Sequence, residues 1–194
     1  LDRMADAKAV LEQAKSKGAK GDGFDQLEDR LGSLASQNSN VQEPPHDQLQ
    51  ALINLYTQGQ YQEVLHEAKK LLVQFSNSIN VYNISGAANK GLGNLDEAIE
   101  AYAKAISIKP DYAEAYYNMG GTLQDLEKLD EAIDAYAKAL SIKSDYAYVH
   151  NNMGVTLQEQ EQLEEAIEAF NKALSIKPDY VDAYTNMGNA LRDQ

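Results

Sequence analysis

The sequence contains no cysteine and no tryptophan, and only four prolines and three phenylalanines among 194 residues. Without cysteine there are no disulfides, thiolate metal sites or thiol nucleophiles. No run of 18 or more apolar residues is present, so no segment is suited to membrane insertion as a spanning helix. Positive charge is also scarce. Seventeen basic against 30 acidic side chains leave a formal charge of -13, which repels the phosphates of nucleic acid and anionic membrane alike. The first residues lack the basic, apolar and small-residue succession of a signal peptide, which together with the missing cysteines fits a cytoplasmic setting. The start at Leu1 and the helical pattern running into Gln194 are those expected of a fragment of a longer chain.

What is present is repetition. Leu-Asp-Glu-Ala-Ile stands at 95–99 and 129–133, and Leu-Glu-Glu-Ala-Ile at 163–167, with a spacing of 34. The same offset relates Ser-Ile-Lys-Pro-Asp-Tyr at 107–112 and 175–180 to Ser-Ile-Lys-Ser-Asp-Tyr at 141–146, and Asn-Met-Gly at 118–120, 152–154 and 186–188. Self-similarity at such a period marks stacked supersecondary units, each too small to bury its apolar face alone. Within a unit, Tyr116, Met119, Gly120 and Leu123 have the spacing of one amphipathic helix. Leu129, Ala132, Ile133, Tyr136, Ala139 and Leu140 have that of a second. The spacing predicts helix A over about positions 1–14 and helix B over about 18–30. Asp130 and Glu131 suit the positive start of helix B, and Pro110 stops the helix before it.

With position 1 at Ala113, Tyr116 falls at 4, Gly120 at 8, Ala132 at 20, Tyr136 at 24 and Pro110 or Pro178 at 32. In that pattern the sequence resembles the tetratricopeptide repeat, and its regularity resembles the repeat superhelix of O-linked N-acetylglucosamine transferases. The expected fold is all-α, a superhelix of antiparallel helix pairs preceded by a helical hairpin. The units are 45–78, which is divergent, then 79–112, 113–146 and 147–180, followed by helix A of a fifth at 181–194. Residues 1–34 carry two apolar stripes around Gly18, Gly21 and Gly23, the pattern of a helical hairpin, and 35–44 form a polar linker. The hairpin has three placements open to it: on the first repeat, on a second copy, or mobile.

A catalytic or metal site should show as residues outside the repeat pattern, and none stands out. His46, His66 and His150 fall in three different units, and His150 takes the position-4 aromatic place, a core-filling role. Gly18, Gly21 and Gly23 follow no strand pattern and precede no Gly-Lys-Ser/Thr, so they are turn residues. Asn83-Ile84-Ser85 matches a glycosylation acceptor by chance inside a helix. The expectation is no enzyme, no cofactor and no metal.

The resemblance implies where binding would occur. In such repeats helix A lines the concave face of a right-handed superhelix, and positions 2, 5, 6, 9, 12 and 13 reach the groove. Position 6 is Asn118, Asn152 and Asn186, a column of carboxamides that can each donate and accept toward a peptide backbone. In repeat 79–112, Asn83 stands at position 5 and Ile84 at 6, so the column begins at Asn118. Around it stand Tyr117, Tyr148, Asn151, Glu114, Asp125, Glu159 and Asp182. With Glu114, Tyr148 and Asp182 at position 2, the cationic clamp that grips a terminal carboxylate in chaperone-binding members is missing. The expected function is a protein- or peptide-binding scaffold for an extended segment, neutral to basic. Two alternatives stand beside it. One is the recognition arm of a glycosyltransferase or sulfotransferase. The other is self-assembly through the terminal helices, because 181–194 leaves Tyr184, Met187, Gly188 and Leu191 without a helix B to cover them.

Overall fold

The computed structural model describes residues 42–194. The hairpin expected at 1–34 and the linker up to residue 41 lie outside the described residues. Within them are nine α-helices and no strand: α1 His46–Thr57, α2 Tyr61–Gln74, α3 Ile79–Gly91, α4 Leu95–Ile108, α5 Ala113–Asp125, α6 Leu129–Ile142, α7 Ala147–Glu159, α8 Leu163–Ile176 and α9 Val181–Asp193. The odd-numbered helices are the A helices and the even-numbered ones the B helices. Each helix packs on its chain neighbours, and each A helix also touches the next A helix, α1 on α3 through to α7 on α9. The result is an all-α superhelix of antiparallel pairs.

The order of residues within a unit explains this. Helices α4, α6 and α8 each open with paired carboxylates, Asp96 and Glu97, Asp130 and Glu131, Glu164 and Glu165, at their positive ends. They end where Lys109, Lys143 and Lys177 turn extended. Lys143 precedes Ser144 rather than proline, yet its φ of -132° and ψ of 91° match the -131° and 91° of Lys109 before Pro110. The stop is therefore held by the stacked repeats as well as by the ring of proline. The A-to-B turns place residue 15 of each unit in the left-handed region, as Gly59, Gly93, Glu127 and Glu161.

Between the helices of a pair the core is built from small residues and one large ring. Ala98, Ala132 and Ala166 and, two turns on, Ala105, Ala139 and Ala173 are fully buried, as are Tyr102, Tyr136 and Phe170 at position 24. A Cβ added at Gly86, Gly120 or Gly154 would come within 2.5–2.6 Å of the ring of Tyr102, Tyr136 or Phe170 respectively. The glycine thus makes room for a buried aromatic ring of the partner helix. The first unit reverses the sizes, with Leu52 at position 8 and Ala68 at position 24, both fully buried in one cluster.

The polar groups of this core are matched. Thr122 and Thr156 are buried and donate to the carbonyls of Asn118 and Asn152. Among the described residues no buried side-chain nitrogen or oxygen lacks a partner. Glu43, in the stretch expected as linker, fastens onto the array: Ser78 Oγ donates to its carboxylate at 2.5 Å and the backbone N–H of Ile79 at 2.8 Å. That places a negative charge on the N-terminus of α3, where Ser78 itself accepts from the N–H of Val81.

Candidate functional site

Two bonded ladders run from α3 through α5 and α7 to α9, both linking residues 35 apart. In the first, the position-6 asparagine donates to position 5 of the preceding repeat. Asn118 Nδ2 reaches Asn83 Oδ1 at 2.9 Å, Asn152 Nδ2 reaches the Tyr117 hydroxyl at 3.4 Å, and Asn186 Nδ2 reaches Asn151 Oδ1 at 3.1 Å. The carboxamide of the buried Asn151 in turn donates to Asn152 Oδ1 at 3.3 Å. In the second, position 12 donates to the carboxylate at position 13 of the next repeat. Lys90 pairs with Asp125 at 3.0 Å, Gln124 Nε2 reaches Glu159 at 2.9 Å, and Gln158 Nε2 reaches Asp193 at 3.2 Å.

The structure therefore joins Asn118, Asn152, Asn186, Tyr117 and Asn151 into one ladder and puts Asp125 and Glu159 on the other. Asn83, which the position-6 column leaves out, is the acceptor that continues the first ladder into the repeat before it. A carboxamide has two N–H groups and two acceptor lone pairs, so a single ladder bond leaves each asparagine with capacity for a second partner. Asn118 and Asn152 line a pocket of about 370 Å³ on this face, with Tyr56, Tyr102, Tyr117 and Lys90. Its walls come from α1, α3, α4, α5 and α7, so the A helices of four successive units close around one hollow. Asn83 and Asn118 also line an adjoining hollow of about 270 Å³ with Ile53 and Tyr56. Tyr56 and Gly121 hold positions 12 and 9, two of the positions expected to reach the groove, and Tyr102 holds position 24, but they come from three different units and only stacking brings them to this hollow.

Tyr148 stands apart from that pocket, exposed and in edge contact with Tyr180 at 5.2 Å between ring centroids. Lys177 Nζ donates to its hydroxyl at 2.9 Å and lies over both rings, at 4.8 and 5.0 Å. Lys109 and Lys143 sit over Tyr112 and Tyr146 in the same manner. Burial and then the nearby Glu114 carboxylate push the Tyr112 hydroxyl up to about 12. Burial and then Asp182 push Tyr180 equally far. Glu114 also acts on Tyr146, raising its hydroxyl after burial itself. Glu114 and Asp182 are thus felt along the row of tyrosines at the ends of the units rather than in the asparagine ladder.

His150 is half-buried, with Nε2 3.2 Å from the carbonyl of Ser144, and burial holds its pKa below the ordinary value. Among the described residues no group of three His, Cys, Asp or Glu side chains is placed to hold a metal ion. No helix among them is long and apolar enough to cross a membrane.

This geometry defines a solenoid of αα hairpins with a polar seam along one face. Tetratricopeptide-repeat models match residues 111–179 and 90–126, and the repeats of this chain are tetratricopeptide repeats. A search of curated protein sequences finds no match. Among solved structures, a crystal structure of MamA is 28% identical at a TM-score of 0.66, covering 72% of this chain and 81% of that one. The first tetratricopeptide repeat of Spaghetti (RPAP3), bound to the HSP90 peptide SRMEEVD, is 21% identical at a TM-score of 0.58, over 59% and 90% of the two chains. The Cut9–Hcn1 hetero-tetramer of the APC/C is 19% identical at 0.69, over 74% of this chain and 29% of that one.

Proposed function

We propose that this array is a protein-interaction scaffold without chemistry of its own, and that its helix-A face binds an extended peptide segment, neutral to basic in charge. The carrying observation is the ladder of Asn118, Asn152 and Asn186, whose carboxamides are oriented by bonds to the preceding repeat and still have hydrogen-bonding capacity. Groups already held in place lose less entropy when a ligand arrives. A fold of the same kind holds a peptide in Spaghetti. An acidic peptide of that sort does not suit this chain, because Glu114 and Asp182 stand at position 2 and Asp125 and Glu159 at position 13. Each backbone contact would contribute about 0.5–1.5 kcal/mol net.

The test is binding of an extended-peptide library to the full chain and to the triple variant Asn118→Ala, Asn152→Ala, Asn186→Ala. The variant also removes three bonds between repeats, so circular dichroism must first show that it folds. Loss of binding by the folded variant is the expected result, and unchanged binding would reduce the asparagines to scaffold.

A second reading is self-association through α9, which leaves Val181, Tyr184 and Leu191 exposed on its unpaired side. A mass that does not change with concentration would dismiss it.

A further inference from the structure

The pocket at Tyr56, Tyr102 and Tyr117 lies at the small end of the range for ligand pockets, roughly 300–1,000 Å³, so it accommodates a single side chain rather than a stretch of peptide. The three tyrosines line it together with Lys90, Asn118 and Asn152, and the small Ala87, Gly91 and Gly121 leave space between them. Gly91 is required by packing, because a Cβ there would strike the Tyr61 ring at 2.6 Å. Gly121 is not: the nearest atoms to an added Cβ are the flexible ammonium of Lys90 at 3.2 Å and the Tyr136 hydroxyl at 3.6 Å. A glycine inside a helix lowers helix stability, and what this one provides is depth. One repeat further on, the same position is Val155, which does not line the pocket.

The charge in the pocket is already balanced. Lys90 Nζ donates to the Gly121 carbonyl at 2.8 Å and pairs with Asp125 at 3.0 Å. A cationic side chain would meet the Lys90 ammonium, and an anionic one would compete with Asp125 on a strongly acidic protein. An uncharged ring meets neither penalty and stacks against the tyrosines in the edge or tilted arrangements that aromatic pairs favour.

We propose that this pocket is the anchoring subsite of the groove and receives one uncharged aromatic side chain of the bound segment. The inference rests on the peptide-groove reading for its biological role, but the pocket can be tested without any peptide. The probe is N-acetyl-tyrosinamide, titrated into the full chain and followed by the backbone amide resonances of Gly91 and Gly121, with N-acetyl-alaninamide as comparison. Saturable shifts at these glycines with the aromatic amide alone are expected, weakened at least tenfold in Gly121→Val and in Ala87→Leu. Ala87 is partly exposed, so its variant fills the hollow without relying on a change at a helix glycine. Absence of saturable shifts, an equal response to the alanine amide, or an unaltered response in a folded Ala87→Leu protein would overturn the pocket. Aromatic binding without any peptide binding would instead keep the pocket and overturn the groove.

Discussion

The first repeat and the regular ones solve the same packing problem with opposite side chains. In units 79–180 a glycine of the A helix faces a buried Tyr102, Tyr136 or Phe170 of the B helix. In unit 45–78 the A helix has Leu52 at that position and the B helix has Ala68, both fully buried in one cluster. What the stack conserves is therefore the volume between paired helices, and either helix can supply it. A repeat pattern written as residue types misses this, whereas one written as a sum of sizes does not.

The comparison can be broken most severely by deleting the large member of the reversed pair. Leu52→Ala leaves alanine at both positions of the cluster and should destabilise the protein by about 3–5 kcal/mol, read by denaturant unfolding. Overfilling a regular pair comes next. Gly120→Leu drives a side chain into the Tyr136 ring and should cost about 2–3 kcal/mol. Adding Tyr136→Ala transplants the first repeat's solution and should recover at least half of that loss, and failure to recover would show that the pairs are not interchangeable. Alkali provides a milder separation. Burial raises the hydroxyls of Tyr102 and Tyr136 well above the ordinary 10.0, so the folded array favours the neutral phenol. That contribution is complete below pH 10 and is lost as the pH rises through 10 and above 12. Units 79–112 and 113–146 should lose more stability than the Phe170 unit, which lacks a tyrosine at position 24 although Tyr180 at its end is also raised, and Tyr136→Phe should flatten the pH dependence. The smallest effect is at Gly188, which holds the same position in α9 but has nothing within 4 Å. Gly188→Ala should raise stability by about 0.5–1 kcal/mol, a gain instead of a loss, because no ring opposes it.

Much of the fold was legible because each unit repeats its own instructions. The apolar spacing gave helices that match the observed ones to within a residue or so, and Pro110 and Pro178 marked where the B helices end. Ser144 shows the limit of that reasoning, since the chain turns there in the same way without proline. The site was less legible. The asparagine column was visible as a 34-residue period, but the bonds run between residues 35 apart, from position 6 of one repeat to position 5 of the one before, a displacement of one residue from the period. A sequence period carries no information on that displacement, so Asn83 looked like a departure when it is an acceptor. The pocket was hidden for a related reason: Tyr56, Tyr102 and Tyr117 belong to different units and different positions, and only stacking brings them together. Glu43 was unreadable as a cap because its partners, Ser78 and Ile79, lie a whole repeat away.

The two ladders also give the array a mechanical character. Their bonds point from one repeat to the next along the stacking direction, side by side on a single face. Pulling the ends of the array apart lengthens these bonds and also opens the apolar contacts between units, where Val81, Val149 and Ala190 pack into the cluster of the preceding unit. The travel available to the ladder face is therefore limited by the buried core. A segment bonded across several of its rungs would shorten that travel and stiffen the array.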